Sequence, residues 1–171
     1  MANTYTLIAS NTVGGGGAAS VTFSSIPSTY TDLLVKMSGR GNGTNSNEIR
    51  LTFNSTTSGY SNKTLYGSGS TAGSFSTGTA YAYCGEIAAA SVTASTFSNT
   101  EIYIPNYASA NYKSLSVDSV SENNSSTNNQ LHLVADLWSN TAAITSITLG
   151  MDGAFVYSQY SSFYLYGIKN S

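Results

Sequence analysis

The chain offers few residues that could perform acid–base or nucleophilic chemistry, and their spacing matches no familiar active site. His132 is the only histidine, so a Ser-His-Asp site would have to use it. The residues around it alternate as in a strand, with Leu131, Leu133, Ala135 and Leu137 sharing one face and His132 on the other. No Gly-x-Ser-x-Gly sequence supplies a nucleophile elbow. We therefore predict that His132 is a surface or interface side chain and that the protein is not an enzyme.

The carboxylates are scattered singly along the chain. Glu101, Asp118, Glu122 and Asp136 could in principle pair to hydrolyse glycosides, which needs two acids roughly 5 to 9 Å apart. Asp118, Glu122 and Asn123 carry oxygen ligands for calcium but lack the acid-rich spacing and internal glycine of an EF-hand loop. We interpret these acids as solvated side chains, and we predict no catalytic, cofactor-binding or metal-binding residue.

Two further features could be mistaken for chemistry. The glycines at 14–17 resemble a phosphate cradle, but no Lys-Ser/Thr pair or helical segment follows them, so they indicate a turn. Cys84 is the only cysteine, so it has no partner for an internal disulfide and leaves the compartment undetermined.

Charge and hydropathy exclude several kinds of partner. Charged residues make up 8% of the 171 residues and the net charge is -2, so no basic stripe exists for nucleic acid. The first ten residues lack the basic and apolar regions of a signal peptide, and no run of eighteen apolar residues predicts a membrane span. We expect neither nucleic acid nor a membrane as partner.

The elements that would position these residues are predicted to be strands. Period-2 alternation of β-branched and aromatic residues, bounded by Gly, Asn, Ser and Asp, recurs from end to end. It predicts about ten short strands, at residues 4–9, 19–24, 31–38, 48–54, 62–66, 81–88, 97–104, 114–120, 130–137, 144–150 and 162–169. Polar loops are expected at 39–47 and 67–78. Without intervening helices the strands must be antiparallel, so we predict one domain, 1–171, folded as a jelly-roll-like β-sandwich.

The thirteen tyrosines have two interpretations. They could fill the core and cover the sheet faces, as β-propensity favours, or some could contact a protein partner or a glycan. Tyr157, Tyr160, Tyr164 and Tyr166 crowd the C-terminal region and are the candidate contacts.

Several phrases resemble a family of small structural proteins of tailed bacteriophages, especially those of marine bacteria and cyanobacteria. They are YTLIASNTV at 5–13, FSSIPSTYTDL at 23–33, IYIPNY at 102–107, LWSNTAAI at 137–144 and SFYLYGIK at 162–169. The resemblance spans nearly the whole chain and brings no catalytic motif. It implies a virion protein on the capsid or tail surface, where trimeric jelly rolls serve as decoration or cement proteins, and of the two positions we favour the capsid.

Three hypotheses follow from these observations. The first is a homotrimeric decoration protein that binds the phage major capsid protein and braces the shell. The second is a tail or head fibre module that holds a host surface glycan with exposed tyrosines and the two polar loops. The third, a glycan depolymerase, has the least support.

Overall fold

The computed structural model describes residues 4–125 and 128–169, and the remaining residues of the predicted 1–171 domain lie outside the described part. The described residues form twelve antiparallel strands and no helix. The strands are β1 (Tyr5–Thr12), β2 (Ser20–Phe23), β3 (Asp32–Gly39), β4 (Ser46–Phe53), β5 (Tyr60–Ser68), β6 (Thr71–Phe75), β7 (Ala82–Ala88), β8 (Ser98–Ile104), β9 (Lys113–Ser121), β10 (Gln130–Trp138), β11 (Ile147–Met151) and β12 (Ser162–Ile168). The predicted all-β antiparallel sandwich is confirmed, with twelve strands where about ten were expected.

The strands lie in two sheets. The large sheet has eight strands in the spatial order β1-β12-β3-β8-β9-β10-β5-β6, and the small sheet has four in the order β2-β11-β4-β7. Four of the pairings are nested along the chain: β1 with β12, β2 with β11, β3 with β8 and β4 with β7. Successive nested pairs alternate between the large and the small sheet, as they do when one long antiparallel ribbon is rolled up. This topology is a jelly roll.

Two hairpins are added to the eight jelly-roll strands. They are β5–β6 and β9–β10, and both join the large sheet, β9 against β8 and β5 against β10. We call β1, β12, β3 and β8 the jelly-roll half of the large sheet, and β9, β10, β5 and β6 its extension. The extension roughly doubles the width of one face of the sandwich.

The core lies between the inner faces of the two sheets. Leu33, Val35 and Met37 of β3 point inward and are buried, as their alternation predicts. On β4 the buried residues are every second one, and Arg50 and Thr52 lie on the other face as expected. On β12, Phe163 and Leu165 are buried while Tyr164 and Tyr166 face outward, again as predicted.

The prediction of a single long loop at 67–78 is wrong. β5 continues to Ser68, and β6 pairs with it after a turn in which Gly69 has a φ of +55°. The signal was weak because β6 is an edge strand whose one large apolar residue is Phe75. Phe75 packs edge-on against the ring of Tyr83, with 5.3 Å between ring centroids, and this contact attaches β6 to the sandwich.

Candidate interaction surfaces

The outer face of the extension carries a group of exposed aliphatic side chains. Leu65, Leu131 and Leu133 are 55–56% exposed and Val120 is 41% exposed. They lie on three neighbouring strands, with Leu133 directly opposite Leu65 and Leu131 directly opposite Val120. We call these four residues the leucine patch. Contiguous exposed apolar side chains on a soluble protein commonly mark an interaction site.

A hollow of about 210 Å³ adjoins the leucine patch. Val120, Leu131, Gly67, Glu122 and Asn129 are among its lining residues. A Cβ atom added at Gly67 would lie 3.5 Å from Leu131 Cγ, so the Leu131 side chain covers this glycine. The patch is therefore an uneven surface, with ridges and a hollow, into which a partner side chain could insert.

The prediction that His132 lies on the surface is wrong. His132 is 3% exposed and points into the sandwich, while Leu131 and Leu133 point out. The alternation of β10 was predicted correctly, and it divides the strand's residues between two faces. Alternation does not indicate which of the two faces points into the core. The inward set of β10 is His132, Val134, Asp136 and Trp138, and the Trp138 ring packs 5.3 Å from that of Phe53.

Three polar side chains on the inner face of the large sheet bond to the unpaired edge of β7. Asp136 Oδ1 accepts the backbone N–H of Tyr83 at 3.3 Å, and Ser98 Oγ accepts that of Ala88 at 2.7 Å. Ser119 Oγ donates to the carbonyl of Glu86 at 3.4 Å. Buried backbone groups that lack a neighbouring strand need such partners, because an unmade bond costs roughly 1–3 kcal/mol. These buried polar residues are therefore explained by the fold.

His132 and Asp136 are each partly without hydrogen bonds. Within the described residues, His132 Nδ1 and Asp136 Oδ2 have no hydrogen-bond partner. Burial lowers the pKa of His132, while the Glu86 carboxylate acts in the opposite direction. Burial raises the pKa of Asp136 to about 7, against the lowering effect of the bond from Tyr83 N–H. Both side chains are thus held in surroundings that favour their neutral forms.

The three residue types of a Ser-His-Asp triad share this inner face but are not connected as a triad. Ser119 lies directly opposite His132, yet its Oγ bonds to Thr100 Oγ1 at 3.0 Å and to the Glu86 carbonyl. The His132 ring is instead surrounded by aromatic rings, those of Tyr66, Phe75 and Tyr83. A nucleophile needs a hydrogen-bonded base and an approach for substrate, and this arrangement provides neither.

The fold brings two of the four candidate acids together and places the other two elsewhere. Glu101 and Asp118 are opposite each other on β8 and β9 at the outer face, and Glu101 bonds to Lys36 Nζ at 2.8 Å. Asp136 is buried on the inner face, and Glu122 accepts the backbone N–H of Asn124. Among residues 4–125 and 128–169, no three His, Cys, Asp or Glu side chains lie close enough to hold a metal ion.

The C-terminal tyrosines have different environments. Tyr157 is fully buried, its ring packs 4.8 Å from that of Phe163, and its hydroxyl donates to the Gly150 carbonyl at 2.9 Å. The prediction of Tyr157 as a surface contact is therefore wrong, because the ring fills the core and the hydroxyl is satisfied there. Tyr160 is 69% exposed, and Tyr164 and Tyr166 lie on the outer face of β12. For these three, a contact role stays a prediction.

The outer face of the jelly-roll half contains a groove between aromatic side chains. Its main hollow measures about 320 Å³ and is lined by Tyr5, Leu34, Lys36, Glu101 and Tyr166. The rings of Tyr164 and Tyr166 are stacked with centroids 6.5 Å apart. We call this feature the tyrosine groove. Tyr164 and Tyr166 were predicted from the sequence as contacts and Glu101 as a candidate acid, but Tyr5 and Lys36 were not singled out. Only the pairing of β1, β12, β3 and β8 brings these residues together.

The polar loop predicted at 39–47 is present between β3 and β4, but it is attached at several points. The backbone N–H of Gly41 donates to the Ala88 carbonyl, and that of Asn42 donates to the Val156 carbonyl. A Cβ at Gly41 would lie 2.1 Å from Asn47 Oδ1, so only glycine fits there. Nearby, the Arg40 guanidinium donates to the carbonyls of Val92 and Thr96. Such a fixed loop is less suited to adapting around a ligand.

Within the part of the chain that the structure describes, no helix is long and apolar enough to cross a membrane. Comparison of the chain with protein-family models, with curated proteins and with solved structures found no match.

Proposed function

We propose that this chain is a capsid decoration protein of a tailed bacteriophage, which docks on the major capsid protein through the leucine patch. The observation that carries the proposal is the exposure of Leu65, Leu131, Leu133 and Val120 on one continuous surface. The resemblance of the sequence to phage structural proteins supplies the partner. The proposal is non-enzymatic, with a homotrimer as the assembled state and the capsid surface as the location.

The physical basis of the docking is the burial of apolar surface. Each Leu or Val that passes from full exposure to full burial contributes roughly 1.5–3 kcal/mol, and the patch residues are already about half buried. The contribution of one patch is therefore modest. Repetition around a trimer and over a shell multiplies modest contacts into tight binding.

Decoration would stabilise the shell by mass action. A protein that binds assembled capsid and not its dissociated subunits shifts the equilibrium toward the assembled form. The low charge of the chain suits this role in salty water, because uncharged contacts are not weakened by screening.

The test compares a patch variant with a matched variant elsewhere on the same sheet. Leu131→Ser/Leu133→Ser removes two patch side chains, and Leu7→Ser removes a leucine that is 52% exposed on β1 of the jelly-roll half. Undecorated particles would be incubated with each protein, sedimented, and heated to measure release of DNA. We expect the double variant to lose binding and protection, while Leu7→Ser retains both.

Two results would contradict the proposal. Particles that lack the protein could prove as resistant to heat and osmotic shock as decorated ones, or the double variant could bind like the unchanged protein. Images of the particle provide an independent check, since density for this protein must lie on the shell and the leucine patch must face it.

A further inference from the structure

The tyrosine groove continues beyond its main hollow. A second hollow of about 280 Å³ shares Lys36 and Tyr166 with the first and adds Tyr164 and Asn99. A third, of about 260 Å³, shares Glu101 and Asn99 and adds Asp118. Together they cross five neighbouring strands, β1, β12, β3, β8 and β9, a distance of about 19 Å at the usual strand spacing. The groove is thus long and open, the shape that suits a linear chain rather than a compact cofactor.

Aromatic rings line the β1 and β12 end of the groove. Tyr5 is 57% exposed at the sheet edge, and Tyr164 and Tyr166 present stacked rings on the next strand. Leu34 points outward but is only 4% exposed, and it lies directly between Tyr166 of β12 and Tyr103 of β8 in the sheet register. A tyrosine ring offers an apolar face with a hydroxyl at its rim.

Charged and amide side chains line the rest of the groove. Lys36 and Glu101 form an ion pair whose side chains remain 52% and 48% exposed, and Asp118 and Asn99 lie beside them. Lys36 can donate three hydrogen bonds, the carboxylates can only accept, and the Asn99 amide can do both. The groove therefore presents donors and acceptors next to aromatic rings.

We propose that the tyrosine groove binds a linear oligosaccharide. A sugar ring has an apolar C–H face that can lie on a tyrosine ring and a rim of hydroxyls that donate and accept hydrogen bonds. A proline-rich peptide could also lie on the rings, but proline offers only carbonyl acceptors and would supply no donor to Asp118 or to the Glu101 lone pairs that Lys36 does not use. The oligosaccharide satisfies both kinds of group, and this complementarity favours it.

This inference does not depend on the proposed decoration role. The tyrosine end of the groove is at the β1 edge of the large sheet, and β6 forms the opposite edge. The other end of the groove reaches Val120 of the leucine patch, but the variants that test the groove, at Tyr5 and Glu101, and those that test the patch, at Leu131 and Leu133, change different residues. Loss of glycan binding would leave capsid docking intact, and failure of capsid docking would leave the groove unchanged. The two proposals can therefore fail separately.

The experiment measures binding of linear glucose, mannose and galactose hexaoses by calorimetry, after a printed array of neutral and acidic oligosaccharides. The test variants are Tyr5→Ala and Glu101→Gln, which alter a ring and an acceptor at exposed positions. The matched control is Tyr112→Ala, because Tyr112 is 58% exposed but lies outside the groove. Thermal unfolding of each variant confirms that it is folded.

We expect saturable binding to at least one glycan, weakened about tenfold by Tyr5→Ala, a size consistent with the loss of one aromatic contact. Glu101→Gln should weaken binding severalfold, and Tyr112→Ala should leave it unchanged. The proposal is overturned if no glycan on the array binds, or if binding survives both groove substitutions. It is also overturned if a proline-rich peptide binds the groove and no glycan does.

Discussion

The jelly-roll half and the extension of the large sheet differ in how far the apolar side chains on their outer faces are exposed. In the jelly-roll half, Leu34 and Ile168 point outward but are only 4% and 7% exposed, and tyrosine rings lie around Leu34. In the extension, Leu131 and Leu133 point outward and more than half of each side chain is exposed. The jelly-roll half thus buries the outward apolar side chains of its inner strands, and of its described residues only Leu7 on the edge strand β1 is a leucine left more than half exposed. The extension leaves three leucines on two inner strands more than half exposed.

The inner faces differ in the reverse sense. Strand β3 of the jelly-roll half contributes Leu33, Val35 and Met37 to the core, whereas the extension contributes His132, Asp136, Ser119 and Thr64 beside Val134. In the jelly-roll half, β8, the strand next to the extension, also carries buried polar residues, Ser98 and Thr100. The reason is the edge of β7, where the Tyr83 N–H donates to Asp136 and the Glu86 carbonyl accepts from Ser119. Polar residues on the inside of β10 require its leucines to be on the outside. The leucine patch and the buried polar residues of β10 therefore have a common cause.

The largest expected effect comes from Gly85, where β7 passes closest to the extension. Gly85 has a φ of +81°, and a Cβ added there would lie 2.4 Å from Ser119 Cβ. We expect Gly85→Ala to destabilise the fold by about 3–5 kcal/mol in urea unfolding, because strain and overpacking add.

The control for this prediction is Gly153→Ala. Gly153 also has a positive φ, +58°, but the nearest atom to its added Cβ is 3.9 Å away. Its substitution should cost about 1 kcal/mol, the backbone strain alone. If both variants lost the same free energy of unfolding, β7 would not be in close contact with the extension at Gly85.

A smaller effect is expected from the ionisation of Asp136. Its carboxyl has a pKa of about 7 in the folded protein against an ordinary value of 3.8. A raised pKa in an acid means that the folded state holds the proton longer, so this contribution to stability is complete below pH 4 and is lost as the pH rises to 7. Between pH 5 and pH 8 we expect the free energy of unfolding of the unchanged protein to fall by about 2 kcal/mol more than that of Asp136→Asn.

The measurement is urea unfolding of both proteins at pH 5 and pH 8. His132 contributes in the other direction, because its lowered pKa favours stability above pH 6.5 and loses it as the pH falls. Both proteins contain His132, so the difference between them isolates Asp136. If the free energy of unfolding changed with pH equally in the unchanged protein and in Asp136→Asn, the Asp136 carboxyl would not be desolvated by its burial beneath β7.

The smallest effects separate the two faces of β10. Val134 is 1% exposed and Leu133 is 55% exposed, although they are neighbours in sequence. Val134→Ala should cost about 2 kcal/mol, because it leaves a cavity in the core. Leu133→Ala removes more atoms but should change the free energy of unfolding by less than about 0.5 kcal/mol. A cost for Leu133→Ala as large as that for Val134→Ala would mean that the leucine patch is already covered within the protein.

Much of the fold could be predicted because alternation with period 2 is a local property. It identified which residues of β3, β4 and β12 share a face, and there the larger apolar set was also the buried set. β6 was missed because an edge strand of small polar residues resembles a loop in composition. The tyrosine groove was only half predicted, since Tyr5 and Glu101 are 96 residues apart and meet across β12 and β3.

The residue pattern alone was enough to predict an all-β sandwich, the positions of most strands, and the placement of Leu131 and Leu133 on the face of β10 opposite His132. Which of those two sets faces the core depends on the packing of the sheets. Alternation is symmetric between the two faces of a strand, so the choice depends on what lies above each face. Here β7 lies above the inner face with unpaired backbone groups, and Asp136 is needed to bond one of them. The leucines are therefore on the outside, where we propose that a partner covers them.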